Sequence, residues 1–187
     1  MAASIADYSR NMRITSRPPL YADLDYLGAA SGYIDEVYAV ISKGPLFEHF
    51  SLKEIEALCQ YMHCFAAPRG SVLLNEGVEG DYLLIVLSGQ VSVMKRNPRG
   101  EDVSITSVGP GMSLGEMSLI DGERRFASCI TLEPTDFAVM TRADLNEILL
   151  THPRLANKLF IKLMQILVGR LRDTGSRLLS NYLNPIL

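Results

Sequence analysis

The chain has 187 residues, 48% of them hydrophobic, and a formal net charge of −3. A domain of this length buries roughly 70% of its unfolded surface, so it needs no disulfide or metal to fold, and the mild acidity gives no global field for holding nucleic acid. Cys59, Cys64 and Cys129 are an odd number without zinc or iron–sulfur spacing and read as buried free thiols of a cytoplasmic protein. The longest plain apolar run, Leu83 to Leu87, is far too short to span a bilayer, and no signal peptide is visible.

Residues 1–44 read as a partly helical N-terminal extension carrying Tyr8, Tyr21, Tyr26, Tyr33 and Tyr38, five of the eight tyrosines, expected to pack against the body or a neighbour. "SRPPL" at 16–20 forbids helix locally, because proline fixes φ and restrains its predecessor. "YIDEVYAVI" at 33–41 places Ile34, Val37 and Ile41 on one helical face, and Gly44 and Pro45 close that helix. "SLKE" at 51–54 is a capping box, predicting a helix from Ser51 to about His63.

From Phe65 to Thr141 short segments rich in Val, Ile and Leu alternate with glycine or proline turns: 71–74, 82–87, 90–95, 102–108 and 137–140. "NPRG" at 97–100 is a turn with a cause at each end, proline for φ and glycine for positive φ. Strands at this spacing predict a small antiparallel barrel or sandwich, within a middle unit at 45–152.

"TRAD" at 141–144 is another capping-box start, and Pro153 suits a first helical turn. A third unit, 153–187, reads as one long helix to about Asn181. Phe160, Met164, Leu167, Leu171, Thr174 and Leu178 follow 4-3-4-3-4 spacing, an a/d seam. Leu159, Leu163 and Ile166 add a second apolar row, so the helix wants two partners: its own body and a second copy. The alternative is a single wide core face. Six Lys or Arg against one acid, Asp173, follow Pro153, and a solvated basic face is the default reading.

"GEMSLIDGERRFASC" at 115–129 sets Glu116 and Arg125 nine residues apart around Gly122. Arginine offers a phosphate both charge and a forked donor set, glycine-bounded turns supply converging N–H groups, and a carboxylate suits a ribose hydroxyl. A solvated turn or a surface salt bridge would use the same residue types. The segment resembles the phosphate-binding cassette of the cyclic nucleotide-binding domain family, with Gly115, Glu116, Ser118, Leu119, Arg125 and Ala127 on the patterned positions. The resemblance extends through "EGVEGDYLLIVLSGQVSV" at 76–93 and spans about Pro45 to Leu179.

That resemblance implies an α+β fold: an eight-stranded antiparallel β-roll, a jelly-roll-like double-stranded barrel, flanked by N-terminal helices and a long C-terminal helix. It implies that Glu116 accepts from a ribose 2′-hydroxyl and Arg125 holds a cyclic phosphate. Backbone N–H groups near Ser118, Phe126 and Ala127 complete the cradle, and Gly115 permits close approach. Val93 and Ile105 line the base pocket. "RLRDTGS" at 170–176 resembles a base-contacting segment, which puts Thr174 beside an adenine. Phe126 departs from the small or hydroxyl residue usual after the arginine; absence of threonine there favours cAMP over cGMP, with no metal. The expected protein is a non-enzymatic sensor that signals through its last helix to a homodimer partner or another protein, without direct DNA or membrane binding, since "YLNPIL" cannot hold a recognition helix. A scaffold with a vestigial pocket, or a sensor of another nucleotide such as a cyclic dinucleotide, are the alternatives.

Overall fold

The structure, a computed structural model, describes residues 20–183. Tyr8, most of "SRPPL", the last four residues and the side chain of Leu178 lie outside what it describes. Among these residues nine strands run in order: β1 (Asp25–Ala29), β2 (His63–Ala67), β3 (Val72–Leu74), β4 (Tyr82–Val86), β5 (Val91–Arg96), β6 (Asp102–Val108), β7 (Ser113–Leu114), β8 (Ser128–Thr131) and β9 (Thr135–Thr141). Among the described residues five α-helices and a short 3-10 helix (Ala30–Gly32) accompany them: α1 (Ile34–Ile41), α2 (Leu52–Cys59), α3 (Glu116–Asp121), α4 (Arg142–Thr151) and α5 (Pro153–Leu183).

The strands form two antiparallel sheets, ordered β1-β2-β9-β4-β7 and β3-β8-β5-β6. This corrects the expected closed roll of eight strands. No described strand pairs across from one sheet to the other, so each sheet keeps two open edges and neither curls into a barrel. The physical reason is that the chain changes sheet at nearly every corner. From β2 to β9 only the β5–β6 hairpin joins sequence neighbours within one sheet. At the β4–β5 corner, for instance, Leu87 and Ser88 donate to the Asp136 carbonyl while Leu132 donates to Gln90, so the chain leaves one ladder and joins the other. The ninth strand, β1, comes from the N-terminal segment, where the sequence signals no strand; it pairs with β2.

The larger sheet is buried on both faces, which explains the unbroken apolar run in β4. Alternate strand residues point to opposite faces. Leu83, Ile85 and Leu87 meet α1, α2, α4 and α5, whereas Leu84 and Val86 enter the layer between the sheets with Phe65, Leu73, Leu74, Val91 and Phe137. Phe65 and Phe137 stack there, and Tyr21 closes the layer edge-on against both.

Local signals set the helices. Ser51 and Thr141 each form a capping box, with Glu54 and Asp144 returning to the cap N–H, and Pro153 opens α5. α2 ends at Cys59, four residues before the expected His63, because His63 already pairs with Val139 in the sheet. α5 lays Leu155, Ala156, Leu159 and Leu163 on the core, with Phe160 and Ile166 partly covered, and leaves Ile161, Met164, Val168 and Leu171 exposed. Its basic residues are not simply solvated. Lys158 reaches Glu54 at 2.8 Å, Lys162 reaches Glu48 at 3.2 Å and Arg170 reaches Glu116 at 2.9 Å, three ties from helix to body.

Candidate functional site

β7 delivers the chain to Gly115, whose φ of +86° suits glycine, and α3 begins at the next residue. Because Gly115 has no side chain to cap with, the first-turn N–H groups of α3 stay available. The loop after α3 runs back to β8, its Arg125 N–H donating to the Val78 carbonyl and the Gly77 N–H to the Arg125 carbonyl. Burial alternates along it: Arg125 in, Phe126 out, Ala127 in.

Glu116 is fully buried. The Ser113 hydroxyl donates to its Oε1. Arg170 grips both carboxylate oxygens, at 2.9 and 3.1 Å, and donates to the Ser113 carbonyl at 2.9 Å. This bidentate fork ties the far half of α5 to β7 and α3. Arg125 is 4% exposed. It donates to the Gly115 carbonyl at 3.0 Å and to the Tyr82 carbonyl at 2.7 Å, and its guanidinium carbon lies 4.4 Å from the centre of the Tyr82 ring. None of the ion pairs among the described residues includes it. Its seat exists because two neighbours are glycines. A Cβ on Gly80 would sit 2.5 Å from Arg125 Nε, and one on Gly115 would sit 2.6 Å from its Nη1.

One cleft of about 80 Å³ gathers these groups; Leu74, Val93, Leu114, Ala127 and Cys129 give it apolar walls. Burial, with nearby Glu116 adding, pushes the Cys129 thiol up to about 12, so it stays neutral. Of the residues singled out from sequence, Gly115, Glu116, Ser118, Arg125, Phe126, Ala127 and Val93 line the cleft. Ile105 and Thr174 do not: Ile105 is 41% exposed on β6, and the Thr174 hydroxyl donates to the Arg170 carbonyl within α5. Arg124 is exposed, donating to the Gly77 carbonyl and lying 3.8 Å from Glu79. Arg170 escaped the sequence reading, which grouped it with the solvated basic face; the signal available was its place in "RLRDTGS". Among the described residues no group of three His, Cys, Asp or Glu could hold a metal ion, and no helix is long and apolar enough to cross a membrane.

A buried acid and a buried arginine thus line one cleft beside a glycine corner, an arrangement whose chemistry suits a small ligand carrying hydroxyls and an anion. The pattern of the cyclic nucleotide-binding domain family matches residues 65–152. A crystal structure of a cyclic nucleotide-binding domain from Methylobacillus flagellatus aligns with 91% of this chain and 96% of its own, at 44% identity and a TM-score of 0.78. The chain belongs to this family, which is regulatory rather than catalytic. It is also 29% identical over 139 residues to the CRP-like cAMP-activated global transcriptional regulator of Mycobacterium tuberculosis, covering 74% of this chain and 60% of that one. The catabolite activator protein structure from Thermus thermophilus aligns with 72% of this chain and 62% of its own, at 28% identity and a TM-score of 0.66. The chain thus spans about 60% of the length of that mycobacterial regulator and of the cyclic AMP receptor protein of Thermus thermophilus.

Proposed function

We propose that the cleft is a cAMP site and that ligand binding is passed through α5 to a second copy or another protein. The observation carrying this is Arg125: a nearly buried cation with carbonyl partners, no ion pair among the described residues, and Glu116 across the same cleft. Burying a charge without a counter-ion is costly, and a cyclic phosphate would supply one. Glu116 would accept from the ribose 2′-hydroxyl, and N–H groups near Ser118, Phe126 and Ala127 would complete the cradle. The relative from Mycobacterium tuberculosis is named for activation by cAMP, and no threonine follows Arg125 to favour guanine.

Small-molecule pockets run to roughly 300 Å³ or more, well above the 80 Å³ here, so the cleft must widen to admit the ligand. Arg170 couples that opening to α5, because it holds the carboxylate the ribose would use. Ligand then shifts the helix by binding one of its positions better than the other. The exposed row Met164, Val168 and Leu171 gives a second copy an apolar surface, and pairing there would carry Thr174 toward the partner's ligand.

Calorimetric titration with cAMP, paired with light scattering on the same samples, tests this. Arg125→Ala should weaken binding by ~30-fold to several thousand-fold, whereas Arg124→Ala changes it little. Equal loss from both substitutions, or no binding by the wild type, removes the cAMP site. A protein that stays monomeric at every concentration, with and without cAMP, removes the second copy.

A further inference from the structure

Phe126 stands at the rim of the cleft with 55% of its surface exposed, between two residues that are buried. An aromatic ring left to water forgoes much of its burial energy, yet this one is held in place. Lys95 donates to the Phe126 carbonyl at 2.7 Å, and its ammonium lies 4.5 Å from the ring centre. Lys95 is itself anchored: it donates to Glu76 Oε1 at 2.6 Å, while the Arg96 N–H donates to Glu76 Oε2 at 2.9 Å. The Lys95 hydrogen bond, with that of Arg96 behind it, holds the Glu76 carboxyl below the usual range. The ring therefore has a cation on one face and its backbone pinned, beside the apolar wall made by Val93 and Ala127.

We propose that Phe126 is the surface on which the nucleobase stacks, and that Lys95, braced by Glu76, is the positioning residue that keeps the ring ready for it. The inference rests on the reading of the cleft as a cyclic nucleotide site. It gives Phe126 the base contact expected of Ile105, which lies outside the cleft lining. Every base offers a π-face, so the stack supplies affinity, while the sugar-phosphate contacts supply orientation.

The chain contains no tryptophan, so Phe126→Trp places a single indole at the rim. Two probes separate the contributions: cAMP, and ribose 3′,5′-cyclic phosphate, which keeps sugar and phosphate but lacks the base. The expected result is that cAMP quenches the indole and the base-less compound binds without quenching it. Phe126→Ala should weaken cAMP by ~5- to 150-fold more than it weakens the base-less compound, the range of one base–aromatic stack. Lys95→Met, which keeps the chain bulk and removes the cation, should weaken cAMP by a smaller factor in the same selective way. Equal loss of both probes on Phe126→Ala, or cAMP binding that leaves the indole unquenched, overturns the stack while Arg125-dependent binding of both compounds leaves the site itself standing. If neither compound binds in an Arg125-dependent way, the stack and the site fall together.

Discussion

Replacing Arg170 by alanine removes both charged hydrogen bonds to Glu116 and the bond to the Ser113 carbonyl. Glu116 is fully buried and, among the described residues, would keep the Ser113 hydroxyl as its one side-chain partner. Breaking a buried ion pair from one side costs about 3–5 kcal/mol. Here the arginine end retains 40% of its side-chain exposure, so solvent screens part of the interaction, and the adjoining cleft gives water a route to the stranded carboxylate. We expect a loss of about 2 kcal/mol, seen as a fall of about 4–8 °C in Tm for a chain of this size. The loss should be concentrated in one place. Beyond Ile166 the helix holds Gly169 and Gly175, each about 1 kcal/mol worse than alanine in a helix interior, and Leu171 is 73% exposed. Among the described residues, Arg170 supplies the polar tie from this part to the body. Amide hydrogen exchange across residues 167–176 should therefore accelerate well beyond any change in β4 or β9. Arg170→Lys keeps the charge without the fork and should recover only part of the loss. Glu116→Gln should cost less in the Arg170→Ala background than in the wild type, since both remove one interaction. An Arg170→Ala protein with unchanged Tm and unchanged exchange over 167–176 would refute the coupling of cleft to helix.

Gly80→Ala should leave the fold near wild-type stability, because the atoms its Cβ would meet, 2.5–2.7 Å away, belong to the end of the Arg125 side chain. The guanidinium must move, and cAMP affinity measured by calorimetry should drop about tenfold or more; unchanged affinity would mean that its observed seat is not the binding one. The Lys158 hydrogen bond, followed by the Ser51 N–H, holds the Glu54 carboxyl below its ordinary range. Its folded value lies under its unfolded one, so the contribution is complete above about pH 5 and fades as pH falls through the lowered folded value. Urea unfolding of wild type and Glu54→Gln should converge on acidification, and a stability difference constant from neutral pH down to about pH 3 would contradict this.

Much of the local structure was legible in the chain because its causes are local. Ser51 with Glu54, and Thr141 with Asp144, announce helix starts within four residues, and Pro153 does so alone. The segments that became β4, β5 and β6 stand out by their apolar content and glycine corners. Gly115, Glu116, Ser118, Arg125 and Ala127 could be singled out as candidates because one short segment carries them all at recognisable spacing.

What only the tertiary structure decided is the partnering of groups far apart in sequence. Strand propensity marks a strand but not its sheet, and here most corners switch sheets, so an open two-sheet arrangement and a closed roll look alike in sequence. β1 has a weak apolar signal and exists because β2 offers it an edge. Gly80 looks like any turn glycine until Arg125, forty-five residues later, lies where its Cβ would be. Arg170 looks like one more charge on a basic helix face; fifty-four residues separate it from the carboxylate it holds. A charge is read from sequence as a residue type, but whether it faces water or a buried partner depends on how the helix carrying it packs. That packing is set by Leu155, Leu159 and Leu163 against the sheet, and it turns Arg170 into the cleft.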